Sequence, residues 1–321
     1  MRVLKIVAYN VLAVLLLALV IEGGVRIAYP EIKPPGTSST LIADSVYGTS
    51  PGLRPGVRGL SHGAMIEVDA QGFIQFDQPD TATAGTWLFL GDSVTMGIGV
   101  APDSTFAGRF AAAADSIRVL NPSLIGYSVY DYAHVLSHML NTIPHLDRVV
   151  VFWCLNDLYQ PTTVDPNAAV RRRLSSVLTF LRQHVRTFIW AKHVLSDRPR
   201  TYLEHDARLY QNDVLYSEAL DTLTALHQMT VYHEAVFTVV LLPYEYQLRG
   251  GLYANRNAPQ TRLLTDLSAA GIAAVDAGSL LNSLKAQDAP SKFYLFGDGI
   301  HFSSQGHQAL ATVLATPLSV P

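Results

Sequence analysis

The sequence predicts one α/β domain in which a parallel sheet carries helices on both faces, and three observations lead there. From about residue 86 onward, short apolar runs of strand length alternate with amphipathic stretches of helix length, the pattern of strands joined by crossover helices. The alternating region is about 235 residues long, within the usual range of a single domain. Residues able to do chemistry fall just past the ends of the apolar runs, where doubly wound sheets gather their ligands.

The elements follow in chain order. From Val3 to Ile21 the only strongly polar residues are Lys5 and Asn10, and nineteen residues at about 1.5 Å each suffice for ~30 Å of hydrocarbon. Arg2 and Lys5 lie at its start, so the positive-inside bias puts the amino terminus in the cytoplasm and the remaining chain outside. Residues 1–28 are therefore expected to be a single-pass anchor in the inner (cytoplasmic) membrane, with the main domain on the periplasmic or extracellular side. A cleaved signal sequence is the alternative, although Val20-Ile21-Glu22-Gly23-Gly24 offers no small-x-small site after a short apolar core.

Residues 29–85 read as a tether, because Pro30, Pro34, Pro35, Pro51 and Pro55 alternate with Gly36, Gly48, Gly52, Gly56 and Gly59 in the manner of turns and extended linkers. Within it, Met65–Val68 and Phe73–Phe76 flank Asp69-Ala70-Gln71-Gly72 as a short hairpin. The main domain is expected over 86–321. Its strands are predicted at Trp87–Leu90, Val119–Leu120, Val149–Trp153, Val236–Leu242 and Ile272–Val275. Its helices are predicted at Phe106–Ser116, Tyr130–Ile143, Leu174–Trp190, Val214–His233, Arg262–Ala270 and Ser304–Ala315. About eighty residues separate the third strand from the fourth, with aromatics at Tyr159, Trp190, Tyr202, Tyr210, Tyr216 and Tyr232. Such side chains serve core packing more often than sugar stacking, and part of this insert is expected over the pocket.

Composition excludes several classes of function. A net charge of −3 gives no basic footprint for nucleic acid, and Arg171-Arg172-Arg173 reads as a solvated helix start. One cysteine, Cys154, excludes an intramolecular disulfide framework. A hydrophobic content of 49% with 15% charged residues is high for a wholly soluble chain. The sequence leaves oligomeric state open.

Ser93 follows the first strand, Gly126 the second and Asn156 the third, while Asp298 and His301 lie beyond the last. A serine hydroxyl becomes a nucleophile when a base takes its proton, and His301 suits that role. Asp298, three residues earlier, can hold the other ring nitrogen in the right tautomer. The backbone amides of Ser93 and Gly126 and the side-chain amide of Asn156 are candidates for an oxyanion hole. No cofactor is implied.

Gly91-Asp92-Ser93 at a strand end, Gly126 in Ile125-Gly126-Tyr127-Ser128, Asn156-Asp157 and Asp298-x-x-His301 together resemble blocks I, II, III and V of the SGNH, or GDSL, hydrolases. The resemblance spans residues 86–316. It implies a flavodoxin-like three-layer α/β/α sandwich (the SGNH hydrolase fold), Ser93 as nucleophile, Gly126 and Asn156 in the oxyanion hole, and esterase chemistry. The segment from Gly91 to Val100 is similar to membrane-anchored bacterial members. Two positions depart from the pattern. Val94 stands where the block usually has leucine, and Cys154 where block III has glycine, which is expected to narrow the cleft or displace the Asn156 loop.

Other constellations fit less well. Gly91-Asp92-Ser93-Val94-Thr95 lacks the second glycine of a Gly-x-Ser-x-Gly elbow. Cys154 reads as a partly buried thiol at a strand end, in preference to a nucleophile. His134 and His138 have helical metal-ligand spacing without an evident third ligand, and His233-Glu234 lacks the second histidine of a zincin. The expected protein is an exported, membrane-tethered serine esterase acting on a small acyl ester such as acetyl, on envelope carbohydrate. An O-acyltransferase, a lipase or thioesterase on the same fold, and a catalytically silent glycan-binding or assembly protein remain the alternatives.

Overall fold

The computed structural model describes residues 2–78, 85–114, 116–159, 178–284 and 289–319. Two antiparallel pairs come first, β1 (Ile42–Tyr47) with β2 (Ser50–Leu53) and β3 (Arg58–Ser61) with β4 (Ala64–Glu67). The five predicted runs then become β5 (Gly85–Gly91), β6 (Ile117–Leu120), β7 (Arg148–Trp153), β8 (Val236–Leu241) and β9 (Ala273–Asp276). They pair in parallel in the order β6-β5-β7-β8-β9. Counted within this sheet the order is 2-1-3-4-5, that of flavodoxin-like folds, and its direction of winding reverses at β5.

All six residues of β7 are buried, so both faces of the sheet are covered, as parallel sheets require. Helix Phe106–Ala113 packs with Ser304–Ser319, and helix Val129–Thr142 packs with Asp213–Tyr232. Arg148 opens β7 from a buried position, where its guanidinium donates to the Leu318 carbonyl at 2.6 Å and lies 4.6 Å from the Trp87 ring centre. One cation thus ties the first residue of a central strand to the last turn of the carboxyl-terminal helix.

Several expectations are corrected. The stretch read as a tether folds into β1–β4 over residues 42–67, and its Leu41, Leu53, Ile66, Phe73 and Ile74 join the domain's hydrophobic core. The predicted hairpin partner of Met65–Val68 is also different. Residues Ala64–Glu67 pair with Arg58–Ser61, while Phe73–Phe76 contributes an isolated bridge, Val68 to Ile74, because Asp69 caps a tight turn through Gln71 and Phe73 amides. The helix predicted over Leu174–Trp190 is interrupted at Val185: residues 178–184 and Arg186–Leu195 are helical. Residues 174–177 and the Arg171-Arg172-Arg173 run lie outside the described residues. Helix Arg198–Leu209 was not anticipated, since its apolar residues are few.

The domain above comprises residues 37–163 and 198–321, and a second compact unit comprises 1–36 and 164–197. In this second unit, helix Arg2–Ala28 is long and apolar enough to cross a membrane by length and composition, and its side chains from Val3 to Ile21 face outward. At its far end Glu22 accepts hydrogen bonds from the amides of Arg186 and Thr187, the Thr187 hydroxyl and the Arg26 guanidinium, at 2.7–3.0 Å. The carboxylate thereby satisfies amides that open helix Arg186–Leu195 and would otherwise lack partners.

Candidate active site

Strand β5 ends in Gly91, where a Cβ would lie 2.0 Å from Thr95 Oγ1 and 3.2 Å from the Phe152 carbonyl. Only glycine lets the chain turn this sharply over β7. Asp92 then caps the single turn Ser93–Met96 by accepting from the Val94 amide at 2.8 Å, and Ser93 stands at the carboxyl end of the sheet. Val94, the departure from the usual leucine, is buried in the core and leaves this turn intact.

His301 comes to the same point from 208 residues away, with its Nε2 2.8 Å from Ser93 Oγ. Its Nδ1 is 2.8 Å from Asp298 Oδ1, which also accepts from the backbone amides of Ile300 (3.0 Å) and His301 (2.8 Å). With Nδ1–H given to the carboxylate, Nε2 is left as acceptor for the serine proton. Burial pushes the Asp298 carboxyl up, but the His301 charge and these hydrogen bonds outweigh it and hold the group below the usual carboxylate range. Burial likewise pushes His301 down, and the neighbouring Asp298 more than reverses this, so the imidazole is a stronger base than a free histidine.

Asn156 follows β7 in the turn Leu155–Leu158, which Asp157 closes by accepting from the Cys154 amide at 2.8 Å. Its side-chain amide donates to Asp92 Oδ2 at 3.1 Å, and its carbonyl is 3.2 Å from the Tyr244 hydroxyl. Tyr244 is itself 2.6 Å from the buried carboxylate of Asp206, which Tyr159 meets at 3.0 Å. Asp92 also lies 3.2 Å from Ser93 Oγ, so one buried carboxylate joins the serine to the asparagine.

Gly126 sits in the loop after β6 with φ at 87°, a conformation that favours glycine, and nothing lies within 4 Å of where a Cβ would be. Among the described residues no hydrogen bond uses the backbone N–H of Ser93 or Gly126. Both donors remain available to a ligand. The structure therefore joins Ser93, His301, Asp298 and Asn156 through hydrogen bonds, and leaves Gly126 exposed without a hydrogen bond to the other four.

Cys154 contradicts the expected obstruction. Its extended backbone (φ −104°, ψ 153°) needs no glycine, and at 1% exposure its side chain is buried in the hydrophobic core. Burial pushes the thiol well above its ordinary range, so it stays protonated. His134 Nδ1 is 2.9 Å from the Ser50 hydroxyl, which donates to Asp131 at 2.5 Å. In this second Ser/His/Asp group the carboxylate binds the serine and does not orient the histidine, so it pins β2 to helix Val129–Thr142. His138 packs edge-on against Tyr47. Among the described residues no three His, Cys, Asp or Glu side chains cluster in a manner that could hold a metal.

Some neighbours were not visible in the sequence reading. His62, from the β3–β4 turn, has its ring centre 6.3 Å from that of His301. The Arg198 charge opposes protonation of His301. In helix Arg198–Leu209, Pro199 fits against Gly299 so closely that a Cβ on that glycine would be 2.5 Å away. The described part of the long insert thus packs beside the Asp298–His301 loop through this helix. Of its aromatics, Tyr210 accepts from Trp153 Nε1 at 2.7 Å and Tyr216 donates to Asp266 at 2.6 Å, which are packing roles, whereas Tyr232 is exposed.

Among solved structures the chain is similar to a member of the lipolytic protein G-D-S-L family from Veillonella parvula DSM 2008 (12% identity, 74% of this chain and 99% of that one, TM-score 0.46). It is also similar to Axe2, an acetylxylan esterase from Geobacillus stearothermophilus (17%, 76% and 98%, 0.43), and to TesA (14%, 73% and 97%, 0.43). No curated protein sequence matches it. The sequence model of the GDSL-like lipase/acylhydrolase family matches residues 89–309, a span that holds Ser93, Gly126, Asn156, Asp298 and His301, and the chain belongs to that family of serine ester hydrolases.

Proposed function

We propose that Ser93, His301 and Asp298 form the catalytic relay of an exported, membrane-tethered esterase that removes a small acyl group, such as acetyl, from a carbohydrate of the cell envelope. The single observation that carries this reading is the unbroken chain from Ser93 Oγ to His301 Nε2 and from His301 Nδ1 to Asp298, at 2.8 Å in each step. Ser93 Oγ attacks the ester carbonyl while its proton passes to His301 Nε2, and Asp298 stabilises the imidazolium so formed. The amides of Ser93 and Gly126 and the Asn156 side chain stabilise the oxyanion. His301 returns the proton to the departing alcohol, and water, activated by the same imidazole, releases the acid from the serine.

Ser93 is 6% exposed and the His301 side chain 16%, so the acyl carbonyl must enter a recess to meet the hydroxyl. The membrane tether is supported by helix Arg2–Ala28 and by Arg2 and Lys5 at its start. The test is covalent labelling by a fluorophosphonate together with hydrolysis of p-nitrophenyl esters of increasing chain length. Labelling should be lost in Ser93→Ala, with turnover reduced about 10⁴-fold or more, and acetate should be preferred to octanoate. Folded wild-type protein that is not labelled at neutral pH would favour a glycan-binding role, and a preference for long chains would favour a lipid substrate.

A further inference from the structure

Outside the groups already given roles, His62 is the residue least explained by stability. It forms with Gly63 the two-residue turn between β3 and β4, with φ of 48° and 78°. A turn with both central residues left-handed most often takes Asn-Gly or Asp-Gly; histidine is among the few other residues that tolerate the first position, and there it carries a ring toward the site. Its Nδ1 is buried with no hydrogen-bond partner among the described residues. Burial first, and the His301 charge second, lower its pKa to about 4, so the ring is neutral at physiological pH.

The placement of the turn is specific. The Ser61 carbonyl accepts from the Gly99 amide at 3.1 Å, which docks the hairpin tip on the loop that leaves the Ser93 turn. Gly99 has φ of 79°, and a Cβ there would lie 2.7 Å from Leu295 and in ordinary contact, 3.6 Å, with His62 Cβ, so the tip packs directly against this loop. An orphaned buried nitrogen and a ring beside the catalytic base coincide in one residue at a left-handed turn position, a combination expected of a functional group.

A neutral imidazole carries one N–H and one lone pair. A buried N–H without an acceptor is rarer than an unused lone pair, so the sealed Nδ1 is the bare nitrogen and the proton sits on Nε2. That atom is neither sealed nor engaged by the described residues. A neutral donor is therefore presented next to the imidazole that must release a proton to the departing alcohol.

We propose that His62 Nε2–H binds the alcohol half of the ester, taking a hydroxyl or ether oxygen adjacent to the ester oxygen, and that the ligand class is accordingly a polyhydroxylated alcohol. The inference rests on the serine esterase reading and deepens it, because it names a residue for the side of the substrate that the relay leaves undefined. A charged donor in this position would oppose formation of the His301 imidazolium; a neutral one does not.

The test compares three acetyl esters: p-nitrophenyl acetate and ethyl acetate, whose alcohols carry no neighbouring hydroxyl, and glycerol monoacetate, whose alcohol does. His62→Asn keeps a residue tolerant of left-handed φ but with a shorter reach, and His62→Gly relieves the turn altogether. Both variants are expected to lose about tenfold in kcat/KM on glycerol monoacetate, mostly through KM. Hydrolysis of the other two esters and fluorophosphonate labelling of Ser93 should stay within about twofold of wild type. Equal losses on all three esters would show a structural residue, and unchanged kinetics on glycerol monoacetate would show no contact; either overturns the proposal. Wild-type protein that neither labels nor hydrolyses any of the esters would remove the esterase reading itself.

Discussion

At the scale of single residues, Asp298 and His301 owe their charge states to each other. Three hydrogen bonds converge on one carboxylate oxygen, and the anion so held raises the imidazole above its ordinary range. In the proposed relay His301 must be neutral to accept the serine proton, so kcat/KM should fall as pH drops through this raised value. The acid limb should thus lie above the pH at which a free histidine titrates. Asp298→Asn removes the main cause of the elevation, so its limb should move to lower pH while the plateau falls; a pH profile of p-nitrophenyl acetate hydrolysis measures both. The same anion has a stability consequence of the same direction, at lower pH. A carboxyl depressed by folding stabilises the native state above its unfolded pKa, and that contribution is lost as pH falls through the folded value.

At the scale of elements, close approaches between backbones are what bring the site together. Gly299 has φ of 86° and sits against Pro199 of helix Arg198–Leu209, while its carbonyl accepts from the Glu245 amide at 2.9 Å. Gly299→Ala should therefore cost about 2 kcal/mol or more through left-handed strain and overpacking. It should also shift the Asp298–His301 loop, so thermal unfolding and the rate of fluorophosphonate labelling should fall together. Strands were the most legible elements, since β5, β7 and β8, enclosed on both faces, must be nearly continuous apolar runs. The hairpins over 42–67 were not, because the same prolines and glycines serve an extended linker and a tight turn. What distinguishes the two is whether Leu41, Leu53 and Ile66 find a core, and no local pattern reports that.

At the scale of the whole molecule, the chain combines a hydrolase domain with an apolar helix whose side chains from Val3 to Ile21 are exposed. So much outward apolar surface calls for lipid or for removal. Full-length protein should remain in the membrane pellet through alkaline carbonate and keep its original amino terminus on sequencing. A soluble product beginning beyond Ile21 would identify a cleaved signal sequence instead. The helix also ends in a defined contact, with Glu22 holding the first amides of Arg186–Leu195, which pairs residues about 165 positions apart in a way that hydropathy does not encode.

The sequence by itself determined the class of sheet and the order of its strands' appearance, because periodicity is a local property of the chain, and strand-end placement nominated five site residues, of which hydrogen bonds join Ser93, His301, Asp298 and Asn156. It also marked Cys154 as unusual but could not say which way the thiol points. Tertiary structure alone decided that the thiol faces the core, that Asp92 links Ser93 to Asn156, and that His62 stands beside His301. Those outcomes depend on which distant backbones approach within a few ångströms, a matter of packing that residue patterns along one chain do not carry.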